Sequence, residues 1–113
     1  MTSYKRGDVI LVNFIFADES GMKKRPAVVI SSDLYNKQRR EAIISAVTSR
    51  TDRILIGDHF IDDWQGAGLI SPSVATGIIR TVNQGMVNRK LGTMPYPDMQ
   101  AITSNLADVL ATR

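Results

Sequence analysis

Val9 to Phe16 is apolar at every position except Asn13. A run of that length without polar alternation reads as a strand buried on much of both faces. It needs cover above and below, which a flat sheet with one wet side does not provide. Asp18-Glu19-Ser20-Gly21 ends the run with turn chemistry. The next segment, Lys23-Lys24-Arg25-Pro26-Ala27-Val28-Val29-Ile30-Ser31, joins a basic cluster to a second strand. Proline fixes its own φ, pushes the preceding residue toward extended geometry and is tolerated as the first residue of a strand. The strand is therefore expected over Ala27 to Ser31. Lys23 and Lys24 then lie on the loop before it, and Arg25 is held at its mouth.

Ile43 to Thr48 supplies a third strand and Arg53 to Ile56 a short fourth. Asp33 to Asn36 suits a helical turn. His59 to Ile61, Ser73 to Thr76, Ile78 to Val82 and Leu91 to Met94 read as further extended pieces, with Gly77 dividing the middle two. From Pro97 the hydrophobic period changes. Met99, Ile102, Leu106, Val109 and Leu110 fall at helical spacing as a core-facing stripe, and Pro97 and Asp98 suit a first turn. Short strands closed by one amphipathic helix predict a mainly β, α+β fold: a small twisted barrel capped by a helix, as a single domain over 1–113.

The chain has 113 residues, no cysteine and a formal net charge of +3. Disulfides and thiolate metal sites are excluded, and one histidine with scattered carboxylates gives metal binding little support. The first residues lack the apolar run of a secretory signal, and nothing approaches the roughly 20 apolar residues of a membrane span. A cytoplasmic location without membrane contact is expected. Basic residues gather at Lys5-Arg6, Lys23 to Arg25, Lys37 with Arg39-Arg40, Arg50 with Arg53, and Arg89-Lys90. Converging on one face, they would attract a phosphate backbone; scattered, they are solvated charge.

Four blocks carry a resemblance. Gly7-Asp8-Val9-Ile10-Leu11-Val12, then Lys24 to Ser31, then Val47-Thr48-Ser49, then Ile79-Arg80-Thr81-Val82-Asn83 resemble the MazF/PemK toxins of bacterial toxin–antitoxin pairs. The blocks come in the family's order over nearly the whole chain, and the helix from Pro97 matches its C-terminal helix. The resemblance implies an SH3-like barrel of twisted antiparallel strands, a homodimer and a ribosome-independent mRNA interferase. Such an enzyme is an endoribonuclease that cuts single-stranded RNA. The resemblance also implies a cognate antitoxin whose disordered tail occupies the RNA groove. Arg25 matches the family's catalytic arginine and Thr48 its catalytic threonine, with Ser49 beside it. Arg80 matches a basic residue that in some members helps bind or cleave RNA. Asn83 stands where the family often has aspartate.

RNA cleavage without metal or other cofactor uses the 2′-hydroxyl as nucleophile on its own phosphorus. A guanidinium suits the charge that develops there, because its planar fork matches phosphate oxygens bidentately. Thr48 can hydrogen-bond the phosphate or the 2′-hydroxyl but is too weak a base to take the proton. Glu19 is either that proton acceptor or a solvated turn carboxylate. His59, the only histidine, is either a general base or a structural or surface residue. Lys23 and Lys24 are RNA-steering charges at most. Phe14 and Phe16 either stack on bases or pack in the core, and Trp64 either stacks on a base or sits on a loop, at the dimer contact or under solvent. Base specificity falls to loops such as Ala17 to Lys24 and Arg50 to Arg53. Two other readings compete: a non-catalytic nucleic-acid-binding barrel, and a toxin acting on a protein, since the CcdB gyrase poisons share this barrel.

Overall fold

The structure, a computed structural model, describes residues 3–16 and 21–112. Six strands form one sheet: β1 (Asp8–Phe16), β2 (Gly21–Val29), β3 (Glu41–Thr48), β4 (His59–Phe60), β5 (Val74–Asn83) and β6 (Val87–Thr93). Helix α1 (Asp33–Gln38) follows β2, and α2 (Tyr96–Val109) follows β6. The strands lie in the order β4-β5-β3-β2-β1-β6, every neighbour antiparallel. Only the single turn Gln84–Met86 joins β5 to β6, although the two strands stand four places apart in the sheet. The sheet must therefore curl back on itself to bring them together. The expected mainly β fold with a C-terminal helix is present. Because β4 and β6 remain edges, the sheet is not closed, and "barrel" describes it loosely.

Over Val9 to Val12, β1 is buried on both sides, as its composition demands. Val9 packs with Val28, Val47, Ile61, Leu69, Met94 and the α2 residues Ile102 and Leu106. Its neighbours Ile10 and Val12 face the other way, onto Ala27, Val29, Ala42, Ile44 and Val82, where Tyr4, Met86 and Val87 complete the cover. A buried carboxylate ties the first of these layers together. Asp98, in the first turn of α2, lies 2.8 Å from His59 Nε2 and accepts the backbone N–H groups of Asp62 (2.8 Å) and Asp63 (3.1 Å). Among the described residues no helix is long and apolar enough to cross a membrane.

Several boundaries differ from expectation. Strand β2 starts at Gly21, so Lys23 and Lys24 lie on the strand rather than a loop, and Pro26 sits inside it. Proline is tolerated there because β3 pairs with β2 only from Ala27 onward, leaving Pro26 on a locally open edge. Arg53 to Ile56 is not a strand. Leu55 and Asp58 instead close a turn through Asp58 N–H to Leu55 O (3.0 Å) and Leu55 N–H to Asp58 Oδ2 (2.9 Å). Gly57 makes this turn possible at φ +94°, where a Cβ would also meet Val109 Cγ2 at 2.6 Å. Ser73 to Thr76 and Ile78 to Val82 fuse into β5 across Gly77. In α2 the stripe holds at Ile102 and Leu106, but Val109 at its end and Leu110 just past it are exposed.

Candidate functional site

Strands β2 and β3 pair from Val29↔Ile44 to Ala27↔Ala46 and then part. Continued two residues further, the same register sets Arg25 opposite Thr48. Beyond the split β2 keeps only β1, with Arg25 across from Val12, while β3 keeps only β5, with Thr48 across from Val74. The parting opens a cleft of about 620 Å³, and Arg25, Thr48, Ser49 and Arg80 all line it. Arg80 enters from β5. It pairs with Ile44, which pairs with Val29, so Arg80 shares the sheet face of Val29 and Arg25.

Thr48 is oriented by the backbone that follows it. Its Oγ1 accepts the Arg50 N–H at 3.1 Å, a local turn bond typical of threonine. The oxygen is thereby fixed and the O–H remains to donate. Arg50 reaches the cleft as well, while its Nε donates to Asp52 Oδ1 at 2.9 Å. That bond, helped by the backbone, holds the exposed Asp52 carboxyl below its ordinary value. Three guanidinium groups thus line the cleft with no carboxylate among the described lining residues. Such a lining concentrates anions.

Leu69, Ile70, Ser71 and Ser73 complete the lining, with Ile78 on β5 beside Arg80. Leu69 follows Gly68, whose φ of +86° and closeness to the Leu91 carbonyl leave no room for a Cβ. None of these five residues stands out in the sequence. Ile70, between Gly68 and Pro72, is 97% exposed, a property visible only in the structure.

Of the other site residues, Lys23 and Lys24 are exposed on β2 and do not line the cleft. Glu19 lies outside the described residues, as do Ala17, Asp18 and Ser20. The side chains of Phe14 and Phe16 are likewise outside them. His59 is bonded to buried Asp98 away from the cleft, which makes it the structural histidine of the two readings. Trp64 packs against the α2-side core, and Asp62-Asp63 form a turn in which Asp63 Oδ1 accepts the Gly66 N–H at 2.9 Å.

Comparison with known proteins decides the family. A profile described as PemK-like, MazF-like toxin of type II toxin–antitoxin system matches residues 5–110. The chain belongs to this PemK/MazF toxin family. No curated protein sequence matches this toxin. Its fold is similar to MazF in a MazE–MazF structure from Deinococcus radiodurans, with a TM-score of 0.81 at 20% identity and 100% of each chain covered. An endoribonuclease from a mycobacterial species, in complex with its cognate antitoxin, gives a TM-score of 0.78 at 18% identity, covering 98% of both chains. The Mycobacterium tuberculosis toxin MazF-mt6 gives 0.75 at 17% identity, with 92% of this toxin and 96% of that chain covered.

Proposed function

We propose that this toxin is an endoribonuclease that cleaves single-stranded RNA in the cytoplasm and is neutralised by a cognate MazE-like antitoxin. The observation that carries this reading is the split of β2 from β3, which leaves Arg25 and Thr48 facing each other across one cleft with Ser49 and Arg80. The 2′-oxygen attacks the adjacent phosphorus and gives up its proton, the bond to the 5′-oxygen of the next nucleotide breaks, and that oxygen takes a proton from solvent. The products are a 2′,3′-cyclic phosphate and a 5′-hydroxyl. Arg25 neutralises the charge on the non-bridging oxygens, and the Thr48 O–H donates to one of them. Arg80 and Arg50 hold flanking phosphates, and Lys23 and Lys24 steer the strand toward the cleft. Among the described lining residues none is a carboxylate or histidine. Glu19, outside the described residues, stays a candidate proton acceptor on sequence grounds alone, beside its reading as a solvated turn carboxylate.

Incubating the purified chain with single-stranded RNA of varied sequence in EDTA should yield discrete fragments. RNA bound but left whole would support the non-catalytic barrel instead. Growth arrest with cellular RNA intact would support a protein target.

The toxin acts as a homodimer on this account. Ile54, Leu55, Ile56, Ile78 and Leu110 are each more than half exposed, and Gly57 and Gly77 bring their segments together. Adjacent exposed apolar residues of this kind mark association surfaces. Sedimentation should give twice the chain mass, and Ile56→Glu should shift it to the single-chain mass. A wild-type chain that sediments as a monomer at high concentration would rule the dimer out.

A further inference from the structure

The β3/β5 ladder slips immediately before Thr48. Ser45 pairs with Ile79 and Val47 with Ala75, so Ala46 alone faces Thr76, Gly77 and Ile78. An even slip keeps every side chain on its own face. It also removes backbone groups from the ladder in the middle of a sheet, where each needs another partner. Side chains supply those partners. Thr76 Oγ1 donates to Ala46 O at 2.7 Å, and Ser45 Oγ donates to Thr76 O at 2.6 Å. The Gly77 N–H donates to Asp58 Oδ1 at 2.9 Å and the Ile78 N–H to Thr76 Oγ1 at 3.2 Å. Ser45 is fully buried and Thr76 is 8% exposed, so water cannot readily replace either hydroxyl.

The stitched segment is flanked by cleft residues on both strands. On β3, Ala46 and Val47 line the cleft and lead into Thr48; on β5, Ile78 and Arg80 line it just past the slip. Bulges beside active sites serve to re-aim side chains. We infer that Ser45 and Thr76 are positioning residues for RNA cleavage: their hydroxyls lock the β3/β5 bulge that sets Thr48 at the reacting phosphate and Arg80 at a flanking one. Neither hydroxyl touches substrate; both act through the backbone of Ala46 and Thr76. This inference rests on the cleavage reading above.

Thr76→Val keeps the shape and removes the hydroxyl, and Thr76→Ser restores the hydroxyl. Measured on one RNA, Thr76→Val should lower kcat roughly 10- to 100-fold, the scale expected of a displacement near 1 Å. KM should hardly move, and Thr76→Ser should recover most of the lost kcat. Amide exchange of the Arg50 N–H, which reports the Thr48 turn bond, should quicken in Thr76→Val and not in Thr76→Ser. Should Thr76→Val fail to fold, Ser45→Ala carries the same expectation for kcat. Unchanged kcat in the folded variants, or Thr76→Ser as impaired as Thr76→Val, would overturn the inference. Arg25→Ala, run alongside, separates the two levels. If the wild type cleaves, Arg25→Ala does not and Thr76→Val equals wild type, only the positioning role falls. If the wild type yields no fragments, the cleavage reading falls first.

Discussion

Replacing Arg25 with alanine is expected to slow RNA cleavage roughly 100- to 1000-fold, the usual cost of one preorganised donor to a developing anion. The circular dichroism spectrum should not change, because Arg25 lies on the exposed surface beyond the last β2/β3 pair. Arg40→Ala is the control. It removes an equal charge from the exposed bend between α1 and β3, outside the cleft. Arg25→Lys should recover only part of the rate, since an ammonium keeps the charge and loses the planar fork. Equal losses from Arg25→Ala and Arg40→Ala would mean that overall charge matters and that no phosphate clamp exists.

The second large effect is on stability. Asp98→Ala should lower the free energy of unfolding by about 3 kcal/mol, the range for breaking one side of a buried hydrogen-bonded charge. It strands the Asp62 and Asp63 N–H groups and His59 together, and so frees the segment that leads into the cleft wall at Leu69 and Ile70. The pH dependence has a definite sign. Burial alone would raise the Asp98 carboxyl, but the bonds from His59, Asp62 and Asp63, with the charge on His59, outweigh it and hold the carboxyl below its ordinary value. A group lowered in the folded state stabilises above its unfolded pKa, about 3.9 for aspartate. That contribution is lost as pH falls through the folded value. Urea midpoints should therefore drop below about pH 4 in the wild type, while Asp98→Asn should be weaker at neutrality and flatter in acid. A neutral-pH loss as small as that of an exposed acid would contradict the anchor.

What could be read from residues alone follows from which signals are local. The apolar run from Val9 announces cover on two faces, and over Val9 to Val12 both layers exist. The helix from Pro97 was legible because Ile102 and Leu106 repeat at its period. Its end was not, because Val109 and Leu110 look like core in sequence and are exposed in the single chain. Arg53 to Ile56 misled for the same reason: apolar residues serve a surface as readily as a strand. The β2 boundary was hidden by charge, since Lys23 and Lys24 extend a strand whose one side is open. Arg25, Thr48, Ser49 and Arg80 were found by resemblance to known blocks, and the strand split gives a physical reason for the grouping. The Ile70 wall and the Ser45–Thr76 stitch depend on pairings between distant segments, which no local pattern carries.

The most direct test of the account is the chemistry of the cut ends. A synthetic single-stranded RNA incubated with the wild-type chain in EDTA should give upstream fragments ending in a 2′,3′-cyclic phosphate or its hydrolysis product. The downstream fragments should begin with a 5′-hydroxyl, both readable by mass spectrometry. Intact RNA at saturating protein, or fragments with 3′-hydroxyl and 5′-phosphate ends, would contradict 2′-hydroxyl attack at the Arg25–Thr48 cleft.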